Sequence, residues 1–433
     1  MTPAQGFGMR VIVIVLTCWA VAGSVWPASG AEAPGPLDGA QERIEQHRKG
    51  DFALVLKDKN GRPLRGVEVE VELVRHEFLF GCNIFMWSDG RDEFSERYRG
   101  RYEALLNFAT LPFYSWAYEP ERGTTDEKRI RRIAAWCGER GIALKGHPLI
   151  WNHMDPAWLP DDEAEVRELT FGRVDALVKA FAGTVDVWDV LNEPTDWERN
   201  EKQAPKTTKA VTGPGKIEAI KEALRRARKA NPKATLLVND YVTSDKYFAV
   251  LDELRDDEGT LLLDAVGIQT HMHGGPRPLE DMWAVCERFA KLGVPLHFTE
   301  VTVLSEYPDR ALGEEETAQY VSDFYTLLFS HPAVEAITWW DFSDRWAWLN
   351  AKAGLLHADG TPKPAYDGLK KLIHETWTTR AALKTDDKGA VRFRGFYGTY
   401  TVRVRRGAEA WATARVTFRR HDEAMHEQDV AVE

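Results

Sequence analysis

From about residue 80 to 376, short apolar runs alternate with longer amphipathic segments. The strand-like runs are 78–85, 107–113, 143–151, 184–191, 235–239, 265–270, 295–299 and 336–340. Helix-length segments between them include 126–140, 163–181, 215–230, 279–292 and 314–330. Within 279–292, Met282, Val285, Phe289 and Leu292 recur at 3-4-3 spacing, the period of a stripe buried along one helix face. Eight such alternations predict a closed parallel (β/α)8 barrel rather than an open sheet. An open doubly wound sheet usually carries a glycine-rich phosphate turn after its first strand. Neither GxGxxG nor a GxxxxGK followed by Ser or Thr occurs in this chain.

The flanks carry a different period. Residues 52–74 alternate strongly, with Val67, Val69, Val71 and Leu73 set against Glu68, Glu70 and Glu72, and Asn60-Gly61 is a hairpin turn signal. After the barrel, 391–396, 399–405 and 413–418 read as strands. Each flank is too short to bury a core alone. Residues 45–79 and 378–433 are therefore expected to form one small β-sandwich-like accessory domain beside a barrel at 80–377. The polar stretch 201–216, with Pro205 and Pro214, is expected to be a loop.

Composition narrows the partners. A formal net charge of −11 argues against nucleic acid or an anionic membrane, whereas a neutral polysaccharide is indifferent to it. Sixteen tryptophans offer apolar faces suited to stacking on sugar rings, although most Trp in a barrel serve as core. At the N-terminus, Arg10 precedes the apolar run 11–22, and Ser29-Gly30-Ala31 follows. This reads as an export signal over 1–31 cleaved after Ala31, with Met9 as an alternative start, and predicts a secreted or periplasmic protein. Leu16-Thr17-Cys18 faintly resembles a lipoprotein signal, but the apolar run continues well past Cys18. Removing the signal leaves Cys82, Cys137 and Cys286, an odd number without CxxC spacing, expected as buried free thiols. No metal cluster, calcium-loop spacing or cofactor motif is present in the sequence, and a monomer is favoured.

Functional side chains of an α/β barrel sit at the C-terminal ends of its strands. The third run ends in Gly146-His147-Pro148-Leu149-Ile150-Trp151, and the fourth in Trp188-Asp189-Val190-Leu191-Asn192-Glu193. The fifth ends in Asn239-Asp240-Tyr241, the sixth in Gln269-Thr270-His271, the seventh in Thr299-Glu300 and the eighth in Trp339-Trp340-Asp341. A lone Glu at a strand end is ordinarily a solvated loop charge, and a lone His ordinarily a satisfied core residue. Two Glu three βα units apart, each beside Asn, His and Trp, instead match the paired carboxyl groups that glycoside cleavage requires. In a retaining enzyme these stand ~5–5.5 Å apart.

Over about residues 80–377 the ordered set of strand ends resembles glycoside hydrolase family 10, the endo-β-1,4-xylanases. The resemblance implies a retaining glycosidase with Glu193 as general acid/base and Glu300 as nucleophile, acting on xylan or a related β-glycan. It also implies substrate contacts from Trp116, His147, Trp151, Asn192, Tyr241, Gln269 and His271, and an aromatic lid from Trp340 and Trp348. Two positions depart from the family pattern. Where the family has Glu-Asn-x-Met-Lys-Trp after its second strand, gripping the −2 sugar, this chain has Leu111-Pro112-Phe113-Tyr114-Ser115-Trp116. Where it anchors the sixth-strand His with an Asp, this chain has Thr302. The chemistry is expected intact and the −2 subsite altered. A different or decorated β-glycan is the alternative substrate, and a non-catalytic carbohydrate-binding barrel the alternative function.

Overall fold

The computed structural model describes residues 35–433, leaving out 214, 308, 407–409, 423–425, 432 and 433. The proposed export signal, residues 1–31 with Cys18, lies outside the described residues. Two strands, β1 (Lys49–Lys57) and β2 (Glu68–His76), precede the barrel. The barrel strands are β3 (Leu79–Asn83), β4 (Phe108–Pro112), β5 (Ala143–His147), β6 (Val187–Asn192), β7 (Thr235–Asp240), β8 (Ala265–Met272), β9 (Leu296–Val303) and β10 (Val334–Trp339). All eight pair in parallel, and β10 returns to β3 with Ala336 opposite Leu79, closing the barrel. The helix Leu279–Ala290 buries Met282, Val285, Cys286 and Phe289, the stripe that its spacing predicts.

One glycine in the barrel answers a specific close approach. A Cβ on Gly146 would lie 2.1 Å from the Trp188 ring. The indole fills that space, fully buried, with its Nε1 donating to Val185 O at 2.9 Å.

After the barrel come β11 (Arg380–Lys384), β12 (Ala390–Phe396), β13 (Gly398–Arg406), β14 (Ala410–Phe418) and β15 (Glu427–Ala431). They build two sheets with the N-terminal strands, in the orders β12-β1-β15 and β11-β2-β13-β14. Each sheet thus takes an interior strand from the start of the chain and edge strands from its end. The sheets meet face to face: Phe52 of β1 stacks on Phe418 of β14 at 4.0 Å, edge-on to Tyr400 of β13. Arg48 ties this layer to the barrel. Its buried guanidinium donates to Phe329 O, His331 O and Val334 O at 2.6–2.7 Å. Burial pushes its pKa down to about 9.

Two expectations need correction. Asn60-Gly61 does form a turn, with Gly61 at φ 77° and Asp58 accepting from Asn60 N and Arg62 N. Pairing across it stops at the single bridge Lys57–Pro63, however, and β1 and β2 enter different sheets. Leu54 and Leu56 of β1 and Val69 and Val71 of β2 are all buried, but in different sheets instead of side by side in one. The second concerns 201–216, which holds the helix Pro205–Thr212. Pro205 takes the first helical position, where its missing N–H removes nothing. Asp155 accepts from Lys206 N and Thr207 N at 2.8 and 2.9 Å, capping that end from a remote loop. Cys82, Cys137 and Cys286 are buried free thiols. Among the described residues no helix is long and apolar enough to cross a membrane.

Candidate active site

The catalytic face follows from irregularities at the ends of β6 and β9. Strict alternation would send Asp189 and Asn192, three residues apart, to opposite sides of β6. A register shift between Asp189 and Leu191 turns both into the barrel. Asp189 then reaches His147, and Asn192 reaches Asn239 and Gln269. A comparable shift beside Gln269 sets Glu300 opposite it. At Glu193 the backbone turns left-handed, φ 55° and ψ 43°, its N–H donating to Asn239 O at 2.7 Å. Such a conformation costs a non-glycine residue ~1–3 kcal/mol. It ends the strand abruptly at Pro194, the first residue of a 3-10 turn, and leaves the carboxyl over the barrel mouth.

Glu300 is held from three sides. The Thr299 hydroxyl donates to Asn239 Oδ1 at 2.5 Å, so the Asn239 amide must present its Nδ2. Nδ2 donates to Glu300 Oε1 and to Asn192 Oδ1, both at 2.7 Å. His271 Nε2 lies 3.0 Å from Glu300 Oε2, and its Nδ1 lies 2.8 Å from Thr302 Oγ1. His147 Nε2 stands 3.8 Å from Glu300 Oε1, with its Nδ1 at 2.8 Å from Asp189 Oδ2. Lys145, fully buried, forms an ion pair with that same Asp189 oxygen at 2.7 Å.

Glu193 accepts from Gln269 Nε2 at 3.2 Å on one oxygen and from Trp151 Nε1 at 3.1 Å on the other. The latter oxygen also pairs with the Arg199 guanidinium, which lies 4.6 Å over the Tyr241 ring. Tyr241 in turn donates to Asp196 Oδ2 at 3.0 Å.

The surroundings push the two carboxyls apart. Burial raises Glu300, but His147, the hydrogen bond from His271 and the Lys145 charge outweigh it and hold Glu300 below the ordinary carboxylate range. Burial also raises Glu193; Arg199 opposes this, Glu300 reinforces it, and the outcome is a raised pKa. Asp341, buried at the end of β10, is pushed up to about 6, mainly by burial, although Trp348 N donates to it at 3.2 Å.

Glu193, Glu300, Trp116, His147, Trp151, Asn192, Tyr241, Gln269, His271, Trp340 and Trp348 all line one cleft of about 620 Å³. Arg199, Arg277, His153 and His273 also line it and were not singled out from sequence, as do Tyr114 and Asp341, quoted there only within longer runs. Asp341 stands in the strand-end reading. Arg199 offered no signal, since it reaches the cleft only because the left-handed turn at Glu193 starts a 3-10 segment there.

The altered stretch after β4 divides cleanly. Leu111 and Phe113 are fully buried, and Phe113 packs on Trp188. Ser115 begins the short helix Ser115–Tyr118, while Tyr114 and Trp116 face the cleft. Tyr114 stacks on Trp116 at 5.2 Å and meets His147 edge-on at 5.4 Å, and Trp151 stacks on His153 at 4.3 Å. This wall is aromatic where the family has polar side chains. Thr302 takes the Asp's place against His271, through a hydroxyl. Among the described residues there is no cluster able to hold a metal ion.

Comparison with known proteins places these features. The profile of glycosyl hydrolase family 10 matches residues 115–372. Anti-sigma-I factor RsgI6 of Acetivibrio thermocellus is 28% identical over 377 residues, covering 85% of this chain and 46% of that protein. The chain thus spans less than half the length of that relative. An endo-1,4-beta-xylanase of Agaricus bisporus is 27% identical over 272 residues, 58% of this chain and 78% of that one. Among solved structures, xylanase 10B from Thermotoga petrophila RKU-1 in complex with xylobiose superposes with a TM-score of 0.59 at 24% identity. It covers 69% of this chain and 95% of its own, a likeness of fold.

Proposed function

The chain belongs to glycosyl hydrolase family 10, and from that premise we propose that it cleaves a β-1,4-linked glycan of the xylan type within the chain, with retention of anomeric configuration. Glu300 attacks the anomeric carbon while Glu193 gives its proton to the departing glycosidic oxygen. In the second half-reaction Glu193 takes a proton from water, which displaces Glu300. The observation that carries this reading is the opposite displacement of two neighbouring carboxyls. The nucleophile has to be ionised and the acid protonated before the first bond breaks, and their environments favour those two states. Asn192, Gln269 and His271 supply donors and acceptors to the sugar bound between them, and Trp340 and Trp348 cover it. The polysaccharide is the partner, the protein acts as a monomer, and the apolar run 11–22 with the site at Ala31 supports export.

A second reading, in which the glycan is another or a decorated β-glycan, draws on the aromatic wall of Tyr114 and Trp116. Stacking tolerates varied sugars better than a hydrogen-bonded grip. Two measurements test the assignment. Glu193→Ala should retain activity on aryl glycosides with good leaving groups and give a β-glycosyl azide when azide is added, whereas Glu300→Ala should be inactive alone and azide should not restore a retained product. The reverse pattern would exchange the roles. Product analysis on xylan, mixed-linkage glucan and cellulose separates the two substrate readings.

A further inference from the structure

Two guanidinium groups reach the cleft beside the loop that follows β7, and one of them, Arg199, pairs with Glu193, the group that protonates the leaving oxygen on the reading above. Arg199 lies over Tyr241, and Arg277 reaches Thr243 Oγ1 at 3.4 Å, two residues further along that loop. Both line the catalytic cleft. Resting on the glycosidase reading above, we propose that they form a recognition site for a carboxylate carried by the glycan, a uronosyl branch on the sugars leaving with the aglycone.

The first argument is Arg277. It is half-buried, and among the described residues no carboxylate lies within ion-pair distance of it. Burial lowers its pKa, and Tyr320 and Asp281, neither in an ion pair with it, offset this only in part. A guanidinium left in that state is unfavourable unless a ligand completes it, and its planar fork matches a carboxylate bidentately.

The second argument is the choice of partner for Arg199. Its counter-ion is Glu193, the very group that must carry a proton before catalysis. Once Glu193 is protonated the ion pair is gone, and the Arg199 charge is stranded at the cleft wall. An anion arriving with the substrate takes over that charge. It also leaves Glu193 free to keep its proton.

A third consideration is the local field. The chain is acidic overall, and Glu193, Glu300 and Asp341 share the cleft. An acidic glycan enters such a site only where fixed positive charge offsets the repulsion. His153 and His273 do not supply it, since burial lowers both. Arg199 and Arg277 do.

The test uses the full chain and two probes: a xylooligosaccharide bearing a glucuronic acid branch, and the same molecule with that carboxyl reduced to the alcohol. Wild type should show a kcat/KM ratio of about ten to one hundred in favour of the acid, the range of one charge-assisted hydrogen-bonded pair. The ratio should shrink as salt is raised. Arg277→Gln should bring the ratio close to one, and Arg277→Lys should restore part of it. Dissociation constants of both probes with Glu300→Ala read the same preference without turnover. A preference for the acid in binding together with absent turnover in wild type would support the carboxylate site and sink the glycosidase reading. Equal kcat/KM and equal affinity for the two probes would overturn the site, as would a preference untouched by both Arg277→Gln and Arg199→Gln.

Discussion

Thr302 offers the sharpest test of how the nucleophile is held. A ring nitrogen facing a carboxylate has to carry its hydrogen, so His271 donates from Nε2 to Glu300 Oε2, and in the neutral ring Nδ1 is left as an acceptor. The Thr302 hydroxyl, buried and 2.8 Å away, is the donor that Nδ1 needs. It thereby fixes the tautomer that serves Glu300. Thr302→Val keeps the shape and removes the O–H. One hydrogen bond of this kind is worth about 0.5–1.5 kcal/mol, which corresponds to a roughly two- to twelve-fold loss in kcat/KM if it acts in the transition state. The hydrogen bond from His271 also helps to hold Glu300 below the ordinary range. Weakening it lets that pKa rise, so the acidic limb of the kcat/KM profile should move to higher pH. Thr302→Ser keeps the hydroxyl and should restore both the rate and the limb. An unchanged limb in Thr302→Val, or a Ser variant as impaired as the Val one, would refute the argument, because the methyl group rather than the hydroxyl would then matter.

Other outcomes follow from neighbouring geometry. Arg199→Gln removes the charge that opposes the elevation of Glu193, so the alkaline limb of the same profile should move to higher pH; movement the other way would contradict the pairing. Arg48→Met leaves three buried carbonyls without their donor and should lower stability by roughly 3–5 kcal/mol in urea unfolding. A loss under about 1 kcal/mol would mean that solvent or another donor replaces it. Gly146→Ala forces a Cβ against Trp188 and should cost about 1–3 kcal/mol, read as a lower melting temperature, with a matching loss of activity if His147 shifts as well.

The barrel was legible because its strands are buried on both faces and its helices on one, and each condition leaves a period that survives in a single sequence. The eight predicted runs and the eight strands coincide to within a few residues at their ends. What was hidden depended on contacts distant in the chain. The helix Pro205–Thr212 owes its start to Asp155, about fifty residues earlier, and Pro205 and Pro214 in the sequence read locally as loop. The strands β11 and β15 bury too little to show a period; β15 buries only Val430. The register shifts in β6 and β9 carry no residue signature. They nevertheless decide that Asp189 and Asn192 share one side of a strand. The candidate site residues picked from sequence stand at or just beyond strand ends, with Trp116 and Trp348 on the segments that follow. Arg199 and Arg277 come from the loops between, where no pattern constrains them.

The placement of β1 and β2 inside their sheets has a consequence for biosynthesis. Asp51 of β1 finds Arg394 of β12 only 343 residues later. At ~5–20 residues per second of synthesis, both strands wait roughly 17–70 s with open edges, the arrangement most prone to pairing with another nascent copy. The row Glu68, Glu70 and Glu72 on β2 guards that interval, since like charges on two such strands repel when aligned. When the C-terminal segment emerges, the same three carboxylates receive Arg405, Arg403 and Arg380 as partners. One acidic row keeps the unfinished chain soluble and then helps select the strands that complete it.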